Sequence, residues 1–314
     1  MQPTGLSAAV DHELESLYDA QKASLWGLAY RLTGSAEDAD DVLQESFKRL
    51  LETPPDHDHL GPWLVRVATN LGVDALRRRR RERYSGPWLP AAVEADDERW
   101  LASVPANAAD PETRYGLLES ATFAFLLAAE ALRPRQRAVL ILRDVFGYSA
   151  VETAAVLATS EGNVRQAHLR ARRAMESYDR TAVVPTPELR HKHEDALQRF
   201  LGCLLAQDAG ALEAMLAESV ETMTDAGGHY TALKAPLRGR AKVARFYLRA
   251  AAERTPTEPR YEIRTVNALP AVVIELGRPV RRQAPRSVVQ IQLDQDGRVN
   301  LVRAVLAPAK IRVL

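Results

Sequence analysis

The stretch "GYSAVETAAVLATSEGNVRQAHLRARRAM", residues 147–175, sets cationic and amide side chains at helical spacing behind a short turn. At about 3.6 residues per turn, Val164, Ala167 or His168, Ala171 and Met175 fall on one side. Asn163, Arg165, Gln166, Leu169, Arg172 and Arg173 fall on or near the other. Arg and Gln early in such a helix are the types that reach guanine and adenine edges in a major groove, while later arginines suit phosphates. An antiparallel helix pair with a solvated basic face has the same periodicity, so spacing leaves both readings open. Asp225, His229 and Tyr230 are acid–base types around a Gly-Gly bend, but a plain turn with solvated side chains uses the same residues. His191, His193 and Glu194 enter a helix without a matching partner cluster and read as surface polarity rather than a metal site. No Gly-rich phosphate loop, nucleophile elbow or redox pair occurs. Binding rather than catalysis is expected, with no cofactor and no metal.

The elements that must carry these residues are helical first and sheet-forming later. Leu14, Leu17, Tyr18, Leu25, Leu28, Ala29 and Leu32 make one apolar stripe at three- and four-residue steps. Gly34 then offers a turn and Ser35 an N-cap, with acids in the first turn of a second helix whose Val42, Leu43, Phe47 and Leu50 face inward. The polar side of that helix carries Asp38, Asp41, Gln44 and Glu45. "TPPDHDHLGP" reads as a loop, and residues 61–83 as a third helix buried through Trp63, Leu64, Val67, Leu71 and Leu76. Its other residues include Asn70, Asp74, Arg77 and Arg78. The prolines between 84 and 112 predict a linker rather than an element. A second helical block follows to about residue 180. After Pro187, two helices, the stretch "SVETMTDAGGHYTALKAPLRG", one more helix and four β-rich runs predict an α+β unit with a curved antiparallel sheet.

Composition narrows the function classes. Basic and acidic residues balance at 42 against 41, so any affinity for polyanions must come from local clusters, and Arg concentrates at 77–83 and 165–173. No apolar run approaches the roughly 20 residues that span a bilayer, and the N-terminal stretch has neither a basic n-region nor an apolar h-region. Cys203 is the single cysteine, which excludes an internal disulfide and suits a reducing cytoplasm.

"YRLTGSAEDADDVLQESFKRL", "PWLVRVATNLGVDALRRRRRERY" and "LRPRQRAVLILRDVFGYSAVETAAVLATSEGNVRQAHLRARRAM" resemble, in that order and spacing, the two domains of extracytoplasmic-function RNA polymerase sigma factors. The resemblance implies a multidomain chain: a helical region 2 domain at 8–83, a linker at 84–111, and a region 4 helix-turn-helix domain at 112–181. Asp38, Asp41, Gln44, Glu45 and Phe47 would meet the β′ clamp helices of core RNA polymerase, with the β flap as a second polymerase contact. Asp56, His57, Trp63, Asn70, Asp74, Arg77 and Arg78 would melt and hold the −10 element. Ser160, Asn163, Arg165, Gln166, Arg170, Arg172 and Arg173 would read the −35 element. Residues 188–314 are similar to the fused SnoaL-like, NTF2-type domain of one group of these factors. That group carries a WLPEP-like linker motif and a DGGGK-like motif, here Trp88-Leu89-Pro90-Ala91-Ala92 and Asp225-Ala226-Gly227-Gly228-His229. The resemblance therefore implies regulation in cis through Trp88, Leu89, Pro90, Asp225, Gly227, Gly228 and His229. Its partners are polymerase and promoter DNA, with a small molecule in the C-terminal domain as a candidate and no membrane. Two other readings fit the residues: a DNA-binding regulator acting without core polymerase, and a SnoaL-type cyclase or isomerase with helical appendages.

Overall fold

A computed structural model describes residues 4–53, 60–82, 84–94 and 115–312, with side chains from residue 15 onward. The chain divides into two compact units: residues 1–82 with 97–182, and residues 83–96 with 183–314.

The first unit is helical. Helix α1 (Thr4–Thr33) and α2 (Ala36–Glu52) meet at Gly34, which turns at φ +68°, and Ser35 caps α2 by accepting from the Asp38 amide at 3.1 Å. Helix α3 (Leu60–Arg79) completes a three-helix core in which Leu25, Leu28, Leu32, Val42, Leu50, Leu64 and Leu76 are buried. The sequence reading carries this helix to Arg83, but regular turns stop at Arg79. The Arg81 and Glu82 amides bond only three residues back, and the Arg79 and Arg80 guanidiniums turn away to carbonyls at Thr33, Glu130 and Leu132. The second half comprises α4 (Phe123–Ala128), α5 (Pro134–Leu140), which widens into one π-type turn over Ile141–Val145, α6 (Ala150–Val156) and α7 (Glu161–Asp179). A reciprocal cap between Ser149 and Glu152 starts α6, and Ser160 starts α7.

The second unit packs α8 (Pro187–Leu205), α9 (Ala209–Met215) and α10 (Arg240–Arg254) with a six-stranded sheet. Strands β2 (Leu216–Asp225), β3 (Leu237–Arg238), β4 (Pro259–Val266), β5 (Leu269–Leu276), β6 (Arg286–Leu293) and β7 (Val299–Val305) lie in the order β3-β2-β7-β6-β5-β4. Leu197, Phe200, Val243, Tyr247, Val289, Ile291 and Val302 fill the space between helices and sheet. This is the α+β arrangement expected, with two differences. The sheet is mixed, because β2 runs parallel to β7. Strand β2 also runs into a stretch, from Ser219 on, for which the sequence names neither helix nor strand. Its buried side alternates through Val220, Thr222 and Thr224, and threonine suits a strand as well as a turn.

The linker is not free of structure either. Ala92–Val93 form a short strand, β1, parallel to β8 (Ile311–Arg312). Four further bonds bind this segment to β4 and the turn after it: Asn267 in the turn exchanges two with Val93, and Arg264 of β4 donates two to Glu94 at 2.8 and 3.0 Å. Residues 95–111 of the linker lie outside the described residues.

Candidate nucleic-acid interface and linker anchor

Helix α7 sorts its side chains by burial. Val164, Ala171 and Met175 are fully buried, while Ser160, Asn163, Arg165, Gln166, Leu169, Arg170 and Arg173 are exposed on one continuous face. Arg165 makes only a same-helix pair with Glu161, and Asn163 donates to Thr159 Oγ1 at 3.2 Å, so both can turn to a groove at small cost. Arg172 departs from its expected phosphate role. It donates two bonds, at 3.1 and 2.8 Å, to Asp144 on the π-type turn, and His168 meets the same carboxylate at 2.8 Å. Burial alone would raise the Asp144 carboxyl, but the bonds from His168 and Arg172 outweigh it and hold the group below the ordinary carboxylate range. Asp144 thereby ties α7 to the π-type turn before the motif, a role that the sequence reading missed.

On α2, Asp41 and Gln44 are exposed and Glu45 is partly so, and between α1 and α2 Glu15, Tyr18, Asp19, Phe47 and Leu51 line a shallow groove of about 310 Å³. Leu51 is 65% exposed, and the Phe47 ring meets Tyr18 edge-on at 4.9 Å. Apolar surface ringed by acids suits a protein partner better than DNA. Asp38 differs from the others in that it accepts from Arg78 at 3.0 Å, so one residue expected at polymerase and one expected at DNA meet each other here. Arg77 pairs with Asp74 at 2.7 Å. Trp63 is half-buried beside a cleft that also includes Tyr148 and Val156, and Asn70 donates to the Val156 carbonyl at 3.3 Å. Asp56 and His57 fall outside the described residues.

Buried arginines join the two halves of the first unit. Arg31, with no exposed surface, donates to Ser120 Oγ at 2.8 Å and to the Leu117 carbonyl at 2.9 Å. Burial lowers its guanidinium to about 10. Glu130 takes a two-pronged contact from Arg79 at 2.7 and 2.6 Å and a further one from Arg137, which is 1% exposed. A charge inside an apolar stripe, as at Arg31 between Leu28 and Leu32, was the available sequence signal; its partner was not readable.

In the second unit, Asp225 is fully buried, not solvated as a simple turn residue would be. Its Oδ1 accepts from the Tyr84 hydroxyl and from the Gly227 amide at 3.1 Å; its Oδ2 accepts from the Leu89 amide at 2.7 Å and from Lys310 Nζ at 2.6 Å. Lys310 also donates to the Leu89 carbonyl at 2.7 Å and lies over the Tyr84 and Trp88 rings, 4.3 and 4.4 Å from their centres. Leu89 and Pro90 are buried. Gly227 and Gly228 take left-handed φ values of +57° and +82°, and a Cβ on Gly228 would lie 3.4 Å from Ser85. His229 is exposed, and its Cδ2 lies 3.4 Å from where a Cβ on Gly227 would stand. The cation at this site is Lys310, which no sequence spacing connects to residue 225. His193, expected on the surface, is 1% exposed, with Nδ1 on the Leu189 carbonyl at 2.9 Å. Among the described residues, no three His, Cys, Asp or Glu side chains cluster as a metal would need.

Comparison with known proteins agrees with this division. Residues 17–82 match the family described as Sigma-70 region 2, and residues 122–175 match Sigma-70, region 4. The ECF RNA polymerase sigma factor SigJ of Mycobacterium tuberculosis is 34% identical over 240 residues, covering 74% of this chain and 72% of the relative. SigG of the same organism is 36% identical over 225 residues, 66% of this chain and 60% of that protein. The crystal structure of M. tuberculosis SigJ, an extracytoplasmic function sigma factor, superposes with a TM-score of 0.70 at 28% identity, over 94% of this chain and 97% of that one.

Proposed function

The chain belongs to the extracytoplasmic-function RNA polymerase sigma factors, and from that premise we propose how its residues divide the work and how its C-terminal domain regulates it. Sigma factors bind core polymerase and promoter DNA. We read the exposed polar side of α2, with Asp41, Gln44 and Glu45, and the groove edge at Phe47 and the exposed Leu51, as the polymerase face. The exposed edge of α7, from Ser160 through Asn163, Arg165, Gln166, Arg170 and Arg173, reads the −35 element. Trp63, Asn70, Asp74, Arg77 and Arg78 serve the −10 element with the preceding loop. Asp38 and Arg78 exchange their mutual pair for polymerase and DNA.

The C-terminal domain is a regulator rather than a catalyst. The observation that carries this reading is Asp225: its carboxylate is closed to solvent and spends all four acceptor positions on the linker, the glycine bend and Lys310. A carboxylate so committed is unsuited to proton transfer with a substrate. It fits a clamp on the segment that connects the two promoter-reading domains. The chain then works in whichever compartment holds polymerase and DNA; among the described residues no helix is long and apolar enough to cross a membrane. Co-elution of the full chain with core polymerase tests the first assignment. Asp41→Arg with Leu51→Asp should weaken the complex at least about tenfold while leaving the far-UV spectrum unchanged, and an unweakened complex would remove this face from the assignment.

A further inference from the structure

A cavity of about 650 Å³ in the second unit opens between α10, the sheet and the loop at 277–285. Its wall is apolar through Phe246, Leu276, Val289 and Leu306, and its rim carries Arg254, Arg281 and Arg282. The one acid on the rim, Glu253, is already paired with Arg249 at 2.7 Å. The loop that presents the arginines is held in shape. Thr231 donates to the Arg282 carbonyl at 3.0 Å, Gln283 accepts from the Val280 amide at 3.2 Å, and Leu276 donates to Pro285 at 2.8 Å. Arg282 itself takes φ +67°, a left-handed conformation that a non-glycine residue holds only when its surroundings impose it, as at ligand clamps. The cavity floor contains Thr224, whose buried Oγ1 lacks a hydrogen-bond partner, whereas Thr222 two residues earlier is matched to Tyr247 at 2.7 Å.

We propose that this cavity binds a small organic anion, an aromatic or short-chain aliphatic body ending in a carboxylate or sulfonate, and that occupancy is transmitted to the linker through β2. The volume is that of a metabolite-sized site, the walls suit an apolar body, and three cations without a competing free acid suit its charged end. Transmission follows from strand geometry. Neighbouring residues point to opposite faces, so Thr224 lines the cavity while Asp225 grips Tyr84 and Leu89 on the other side. Leu306, at the cavity wall, donates its amide to the Asp225 carbonyl at 2.7 Å, giving a second connection. This rests on the regulatory reading of the C-terminal domain, but its test uses neither polymerase nor DNA, so failure here leaves the transcription assignments standing.

The test is fluorescence titration of the full chain with 1-anilinonaphthalene-8-sulfonate and with its uncharged relative N-phenyl-1-naphthylamine. The anion should bind saturably at one site and about tenfold more tightly than the neutral probe. Arg254→Gln with Arg282→Gln should abolish that preference, and Ala250→Trp, which fills the cavity from α10, should remove both signals, each variant keeping the parent's melting curve. Equal affinities for the two probes, or a preference that survives the arginine substitutions, would overturn the anion assignment. Binding that survives Ala250→Trp would overturn the site. Hydrogen exchange across residues 84–94 should slow about threefold or more when the sulfonate saturates the chain, by stiffening the strand that holds the Leu89 amide. Unchanged exchange in the saturated chain would overturn transmission.

Discussion

Asp225 receives two donors on each carboxylate oxygen and has no exposed surface, so its charge is balanced almost wholly by Lys310, itself 12% exposed. Burial, and then the bond and charge of Asp225, push the Tyr84 hydroxyl well above its ordinary range, which keeps it a donor at any physiological pH. Breaking one side of such a pair strands the other charge in a dry site. Asp225→Asn should therefore cost on the order of 3 kcal/mol of unfolding free energy in the C-terminal domain. It should also expose residues 84–94 to limited proteolysis, and resistance equal to the parent would contradict the anchor. The residue-level signal was uneven in the sequence. Asp225, Gly227 and Gly228 were readable as a motif, and Trp88-Leu89-Pro90 as its counterpart. Lys310 was not, because it sits in a single turn after the last long strand, with no periodicity to mark it.

Helix α7 owes its orientation to Asp144, which receives His168 and Arg172 from one side of the helix while the opposite residues stay open. Because the folded carboxyl lies below its unfolded value of about 3.9, its stabilisation is present above that pH and is lost as pH falls through the lower folded value. Asp144→Asn should lower the melting temperature at pH 7, and the two melting curves should draw together as pH falls below about 3.9 and coincide only below the still lower folded value. A difference that persisted there would assign the effect to packing. On the open side, Arg165→Ala and Gln166→Ala should each cost about 1–3 kcal/mol at one −35 base pair. Arg173→Ala should instead weaken all sequences alike and reduce the salt slope by about one phosphate. Fluorescence anisotropy at several salt concentrations separates the two. The helix-turn-helix was legible because caps and apolar spacing agree over its whole length. Strand β2 was not, because its buried face is half threonine and its parallel partner β7 lies some 80 residues on.

At the scale of the molecule, the promoter-reading halves form one unit fastened by Arg31, Arg79 and Arg137, and the segment after the first half belongs to the other unit. Domain order and the helical-then-sheet sequence could be read from periodicity, but the partition of the linker could not, since prolines mark only where regular structure stops. Desolvation lowers the Arg137 guanidinium, and the charge of Glu130 offsets part of that. Glu130→Gln should thus destabilise the first unit by on the order of 3 kcal/mol, read as a drop in its calorimetric transition with that of the C-terminal unit unmoved. By the reading proposed above, this chain directs core polymerase to promoters and the Asp225 clamp regulates it in cis. Run-off transcription with purified core polymerase compares the full chain with Asp225→Asn on a promoter selected by the full chain. A promoter-specific transcript should form that requires the chain and changes severalfold in the variant with its start site unmoved. A transcript that forms without the chain, or one identical with and without the Asp225 carboxylate, would contradict it.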